Sequence, residues 1–424
     1  MKTVTESCDV AVIGGGPAGA AAGAKMAQAG LKVTILEKEK FPRFCIGESL
    51  LPHGNDLLKE LGVWDKLETA GFLRKYGAEF CSGDNTRRHR LWFEESLDSD
   101  HQYTYQVDRA TFDQLLLNHA RDYGCTVHEQ TRVTALEKPD SEAMTLDCQG
   151  PGERRQITAR WVIDASGRSA FAGRDMGLIR RSTEKVRRVA IYGHFEGAAR
   201  NEGKAEGHIT IVRIPGGWFW LIPLAHDRTS VGLVLPTKQT RTSPARNLKD
   251  IFEQAVKSSP AMTERLEAAR PMTPLQATGD YSWKFSSLAT RRIVLTGDAA
   301  GFVDPIFSSG ILLALKSGLR AAEMVTGAEA SGRSLGAWER FAYSRGVTRS
   351  MNQYGRLIRA FYDRAGFEVF MSPQPVLQIP RSVGRLVGGD TNPSLGDRLR
   401  LRLFQGVCRA QRLFDVVPAI HSLR

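Results

Sequence analysis

Apolar residues cluster along this chain in two patterns. Cys8 to Ile13 (CDVAVI) and Leu31 to Leu36 (LKVTIL) are short, nearly unbroken apolar runs. Such runs predict buried strands. An Ala-rich stretch ending near Ala29 reads as the helix between them. Helical patterns recur at roughly Gly54 to Leu61 and Ala110 to Asp122. Tyr103 to Val107, Cys125 to His128 and Arg132 to Glu137 read as strands, and Ala143 to Val162 as a hairpin. From Val186 the character changes to alternating, β-rich runs: Val189 to Phe195, His208 to Ile214, Trp218 to Pro223 and Thr229 to Leu235. These runs predict an antiparallel sheet forming a substrate domain. Helices follow at Asn247 to Val256 and Met262 to Ala269. A short buried strand at Arg292 to Leu295 then leads, through a Gly-rich turn, into a long helix from Ile311. Beyond Ser334 the pattern is helical, with a Pro- and Gly-containing break from Ser372 to Pro393.

The chain has 424 residues, 42% hydrophobic and 25% charged, which suits two or three packed domains. No run of ~20 apolar residues predicts a membrane span. The first residues show no basic region followed by an apolar core, so a cytoplasmic location is expected. Six scattered cysteines without a CxxC pair argue against a disulfide framework and against a zinc site, and no metal site is expected. The net charge is +12, but no basic block of five or six residues occurs, which disfavours nucleic acid. From Arg381 to Arg424 there are eight arginines and three aspartates. That tail reads either as a solvated helical face or as a dock for an acidic partner.

Gly14-Gly-Gly16-Pro-Ala-Gly19 sits between the first strand and helix, and Glu37 ends the second strand. This is a dinucleotide fingerprint in its proper context. Gly14 permits the tight turn, Gly16 admits a pyrophosphate, Gly19 allows close packing, and Glu37 accepts from ribose hydroxyls. The spacing does not distinguish FAD from NAD. Thr296 to Ile311 (TGDAAGFVDPIFSSGI) is a second strand–turn–helix. Its backbone N–H groups suit a small anion, and Asp298 suits a ribityl hydroxyl.

The fingerprint followed by Pro42-Arg-Phe-Cys-Ile-Gly-Glu-Ser-Leu-Leu-Pro52 resembles one branch of the flavin monooxygenase superfamily, the FAD-dependent halogenases and geranylgeranyl reductases. Lys75-Tyr-Gly-Ala-Glu-Phe80 resembles the halogenases' KxGxxF, and Trp218-Phe-Trp-Leu-Ile-Pro223 matches WxWxIP. Phe302, Pro305, Ser308 and Gly310 match FxxPxxSxG. The resemblance spans Cys8 to about Leu319. It implies an α/β fold: a Rossmann-like FAD domain of the GR2, para-hydroxybenzoate-hydroxylase-like type, an inserted antiparallel substrate sheet and a helical C-terminal region. The expected boundaries are 1–80, 106–185 and 281–330 for the FAD domain, 81–105 and 186–280 for the β-rich domain, and 331–424 for the helical region.

The resemblance also assigns roles. FAD contacts are expected from Gly14, Gly16, Ala18, Gly19, Glu37 and Lys38, and from Arg43, Ile46, Gly47, Glu48 and Ser49. Arg109, Val133, Asp298, Pro305, Gly310 and Ile311 complete them. Halide is expected at Ser308, Ser309 and Gly310. Trp218, Trp220, Ile222, Pro223, Phe80 and Phe307 are expected to line the substrate passage. Lys75 is the expected catalytic residue, receiving hypohalous acid made from chloride or bromide, O2 and FADH2. An amine suits that task only when desolvated. Halogenases of free tryptophan carry a glutamate where Phe307 stands here, so the resemblance favours members acting on phenols or pyrroles in secondary metabolism, often on an acyl or peptidyl carrier protein. A separate NAD(P)H-dependent flavin reductase is implied. An FAD hydroxylase or a prenyl-chain reductase is the rival on the same fold, and a flavoprotein without catalysis is a more distant one.

Overall fold

The computed structural model describes residues 3–137, 143–175, 178, 180–182, 186–242, 247–279, 283–373 and 376–423. A central sheet runs in the order Thr126–His128, Val33–Leu36, Thr3–Ile13, Arg154–Asp164, Met144–Gln149, Arg132–Glu137. Ile293–Leu295 also pairs with Arg154–Asp164. The first three strands, Arg154–Asp164 and Ile293–Leu295 are parallel, and the two between Arg132 and Gln149 form an antiparallel flank. Helices Pro17–Gln28 and Gly310–Ala330 lie together against this sheet. Their crossing is close because a Cβ on Gly318 would collide with the Ala18 carbonyl. Gly14 adopts φ +104°, and a side chain there would strike the Ala165 carbonyl. A Cβ on Gly297 would in turn meet Ala18, so the two glycine turns nest against each other at the C-terminal edge of the strands, where ligands bind in open α/β sheets.

The inserted sheet has the order Arg270–Pro271, Arg188–Glu196, Arg228–Pro236, Gly217–Pro223, Ile209–Ile214, Gly77–Ser82, Arg88–Trp92, with Gln276–Gly279 also on Arg188–Glu196. Its first strand in the chain is Gly77–Ser82, so the sheet begins a few residues ahead of the expected boundary at 81. One face buries Phe195, Phe219, Leu221 and Leu233 under helix Leu248–Lys257. The other face carries Trp218, Trp220 and Ile222 toward the FAD domain. Period-2 alternation thus sorts Phe219 from the two tryptophans, as expected of a strand. The C-terminal helices Ala337–Tyr362, Arg364–Met371, Ile379–Val387 and Leu395–Ala410 pack alongside both sheets. Among the described residues, no helix is long and apolar enough to cross a membrane.

Candidate active site

A cavity of about 580 Å³ runs from the two glycine turns to the inner face of the inserted sheet. Gly14, Gly16, Ala18, Glu37, Lys38, Arg43, Ile46, Gly47, Glu48, Ser49, Arg109, Val133, Asp298, Pro305, Ser308, Gly310 and Ile311 all line it, together with Trp218, Trp220 and Ile222. One continuous space therefore joins the expected cofactor positions to the paired indoles.

The chemistry of the walls fits FAD. Glu37 is buried, and its carboxylate accepts from the Gly15 N–H at 2.7 Å and the Glu39 N–H at 2.8 Å, which fixes it at the end of its strand. The Asp298 carboxyl is pushed up to about 6 by burial, a state that hydrogen bonds from a polyol chain would relieve. Glu48 has one carboxylate oxygen against His194 Nε2 at 2.7 Å, while its Oε2 is buried without a partner among the described residues. Arg109 makes a bidentate pair with buried Asp113, both contacts 2.8 Å, and donates to the Ile46 carbonyl at 2.6 Å. Burial opposes its charge, but the Asp113 carboxylate outweighs that and holds the guanidinium charged. Arg43 reaches the same Asp113 at 3.1 Å and stacks over Phe41. Arg109 and Arg43 are thus preset at the cavity wall, aimed by one carboxylate.

Lys75 does not line that cavity; it lies just behind the wall. It is 1% exposed, and its Nζ donates to Ser49 Oγ at 2.9 Å and to the Leu50 carbonyl at 2.8 Å. Backbone pairing explains the meeting. Leu73–Lys75 pairs with Thr104–Gln106, and Ser49 bridges to Gln106 while the Leu50 N–H bonds the Tyr105 carbonyl. One short strand therefore carries the lysine on one side and the 48–50 segment on the other. Burial alone pushes the Lys75 amine down to about 7. The Phe93 ring lies 5.4 Å from Nζ. His208 is also buried, and burial, followed by the Lys75 charge, pushes its imidazole down to about 3. Neither His208 ring nitrogen has a hydrogen-bond partner among the described residues.

The indoles are held at their N–H groups. Their ring centroids are 5.8 Å apart. Trp218 Nε1 donates to Tyr362 Oη at 2.6 Å, and that hydroxyl donates to Asp304 at 2.8 Å. Trp220 donates to Ser230 and lies where any side chain on Gly232 would be. Tyr362, Asp304, Asp113, His194 and His208 were absent from the sequence-based site. Asp113 lies one helical turn from Arg109, and Asp304 is an unspecified position inside the Phe302–Gly310 motif. No short motif marks Tyr362, His194 or His208, which act through partners distant in the chain. Arg188, stacked 3.7 Å over the Tyr362 ring, was missed for the same reason.

Other expected positions fall elsewhere. Gly19 serves packing, since a Cβ there would strike the Gly14 carbonyl. Ser309 begins helix Gly310–Ala330 beside the cavity, with its Oγ buried and unpartnered among the described residues. Phe80 and Phe307 do not line the cavity. They join Phe361 and Phe370 in a buried cluster, with Phe80 and Phe370 edge-to-face at 4.7 Å and Phe307 and Phe361 at 5.8 Å. Pro223 ends its strand without reaching the cavity.

Residues 7–323 match the FAD binding domain family. The chain is 34% identical over 334 residues to the 1H-pyrrole-2-carbonyl-[peptidyl-carrier protein] chlorinase of Pseudomonas fluorescens, covering 73% of each. It is 32% identical to the tryptophan 2-halogenase of Chondromyces crocatus, over 84% of this chain and 68% of that one. Among solved structures, a flavoprotein/dehydrogenase from Cytophaga hutchinsonii superposes with TM-score 0.87 at 28% identity, covering 96% and 99% of the two chains. The flavin-dependent brominase Bmp2 superposes with TM-score 0.84 at 27% identity, covering 96% and 100%. A family match over most of the chain, set on a cavity built for FAD and walled by paired indoles, leads to one conclusion: this protein belongs to the flavin-dependent halogenases, oxidoreductases of the FAD binding domain family.

Proposed function

We propose that this enzyme makes hypohalous acid from chloride or bromide and delivers it through Lys75 to an electron-rich phenol or pyrrole ring carried on an acyl or peptidyl carrier protein. The observation that carries the reading is the burial of Lys75, with its amine tied to Ser49, a residue of the cavity wall. When bound in its reduced form, FAD would supply two of the four electrons that O2 accepts, the other two coming from the halide as it is oxidised to hypohalous acid. Every other part of the task belongs to the chain.

The start of helix Gly310–Ala330 holds the halide: the Ser309 and Gly310 N–H groups donate to it, and the helix dipole favours the negative charge. The unpartnered Ser309 hydroxyl supports this placement. Trp218 and Trp220 wall the passage and keep the organic ring from the cofactor end. Lys75 receives hypohalous acid at the far side of Ser49. With the amine held down to about 7 by burial, a large fraction is neutral near neutrality and accepts halogen. The fixed position of Nζ sets which ring carbon is attacked. Phe307 among aromatic rings leaves no carboxylate at the place where tryptophan halogenases carry one, which supports a phenol or pyrrole over free tryptophan. The name of the Pseudomonas relative points the same way. Electrons reach the enzyme from a separate NAD(P)H-dependent flavin reductase.

Lys75→Ala tests this reading. With FAD, a reductase, NADH and bromide, the variant is expected to lose more than 100-fold of ring halogenation. It should still consume O2 and release hypohalous acid to a soluble trap. Retained product would remove Lys75 from the mechanism, and an oxygenated product from the wild type would favour an FAD hydroxylase.

A further inference from the structure

A ring tethered to a carrier protein requires a surface on the enzyme where that partner can land. Among the described residues, many of the exposed large hydrophobic side chains fall in one stretch of the chain, between Val376 and Val416. Val376, Leu377, Leu395, Leu399, Leu413 and Phe414 are all well exposed, with Leu395 at 80% and Leu413 at 78%. Helix Leu395–Ala410 explains the pattern. Its inner positions Asp397, Phe404 and Cys408 are buried, and Ser382 ties Asp397 to the neighbouring helix at 2.7 Å. Its outer positions Leu395, Leu399, Arg402, Leu403 and Arg409 face solvent. A monomer gains nothing from a leucine stripe left in water, and contiguous apolar exposure rimmed by charge marks an interaction site.

We propose that this outer face docks the acidic helix of a carrier domain and presents its tethered ring to the Lys75 end of the site. The proposal rests on the carrier-tethered reading given under Proposed function. Three observations select this occupant. First, the rim is cationic: Arg398, Arg402, Arg409 and Arg412 are exposed around the leucines, complementary to an acidic amphipathic helix. A second copy of this chain meeting the face symmetrically would bring arginine against arginine. Second, leucines and arginines share one face, whereas a helix lying in a lipid surface separates an apolar face from a basic one. Third, a run of packed elements joins this helix to the surroundings of Lys75. Helix Leu395–Ala410 packs on Ile379–Val387, whose Gly384 touches Ser96 so closely that a side chain there would collide with it. Ser96 ends the short helix that begins at Phe93, the ring beside the Lys75 amine. The docking helix is thus linked through two packed helices to the ring beside the amine.

The test compares one acyl group on two supports: a pyrrole-2-carbonyl peptidyl-carrier domain of net negative charge, and the pyrrole-2-carbonyl thioester of N-acetylcysteamine. In the double variant R402E/R409E, and separately in Leu399→Ala, KM for the loaded carrier should rise at least tenfold with kcat unchanged. Turnover of the small thioester should stay as in the wild type. Added salt should raise the wild-type KM for the carrier and leave that of the double variant nearly flat. An unchanged carrier KM, or an equal loss on both substrates, overturns the proposal. So does a variant phenotype confined to self-association in sedimentation velocity or to binding of phosphatidylserine vesicles. If the wild type halogenates neither substrate, the tethered-pyrrole reading fails. Fluorescence anisotropy with the loaded carrier then decides the surface alone: tenfold weaker binding in the double variant sustains it, and equal binding sinks it.

Discussion

The amine of Lys75 and the hydroxyl of Ser49 lie 2.9 Å apart, with both residues buried. Ser49 also faces the cavity, and its neighbour Glu48 pairs with His194 on the inserted sheet. Two consecutive residues thus link the lysine strand, the cofactor wall and the substrate sheet. Among the described residues, no carboxylate touches the Lys75 amine; a hydroxyl and a backbone carbonyl hold it. A neutral pair of acceptors positions the amine without keeping it charged.

Ser49→Ala removes one of the two acceptors. Losing one such bond amounts to about 1.4 kcal/mol, or roughly tenfold in rate. We expect kcat for ring halogenation to fall by that factor while more hypohalous acid escapes to a soluble trap. Ser49→Thr, which restores a hydroxyl, should recover most of the loss. A drop in FAD affinity with unaltered coupling would instead mark Ser49 as a cofactor contact only.

The lowered Lys75 pKa has consequences for both rate and stability. If neutral amine accepts halogen, single-turnover halogenation rises through about pH 7, and that inflection disappears in Lys75→Met. For stability, the unfolded amine titrates near 10.5 and the folded one near 7, so between those values the unfolded chain binds more protons. The stabilising contribution is complete above 10.5 and is lost as pH falls to 7. Against Lys75→Met, the wild type should therefore lose unfolding free energy as pH falls across that window. A difference that stays flat with pH would mean the amine is not dry.

Tyr362 joins the C-terminal helices to the substrate wall. Burial, and then the Asp304 carboxylate, push its phenol well above the usual range, so it stays a donor to Asp304. Tyr362→Phe strands the Trp218 N–H in the interior, at a cost of about 1–3 kcal/mol. Urea denaturation should show that loss. Loosening of the indole should also raise uncoupled consumption of O2.

Phe307→Glu restores the residue type of the tryptophan halogenases but sets a carboxylate among Phe80, Phe361 and Phe370. We expect a loss of about 3 kcal/mol or more in unfolding free energy at pH 7, smaller at pH 4 where the acid is neutral, with no gain of activity on free tryptophan. A stable variant with raised activity would mean that position 307 reaches Lys75 directly.

The chain by itself determined the architecture. Apolar runs and a glycine fingerprint at fixed spacing need only local geometry to be read, so the nucleotide turn, the alternating strands and the WxWxIP wall were legible. Gly14, Glu37, Asp298, Trp218 and Trp220 all line one cavity. The tertiary structure alone decided what each group touches. Ser49, expected as a cofactor contact, lines the cavity and accepts a hydrogen bond from the lysine; Phe80 and Phe307, expected as passage walls, lie in a packed cluster. Tyr362 on Trp218 and His194 on Glu48 cross 144 and 146 residues of chain. Such pairs leave no periodic trace. Whether Lys75 is wet or dry likewise depends on what surrounds it in space, because desolvation is set by every neighbouring atom and by no single neighbour in sequence.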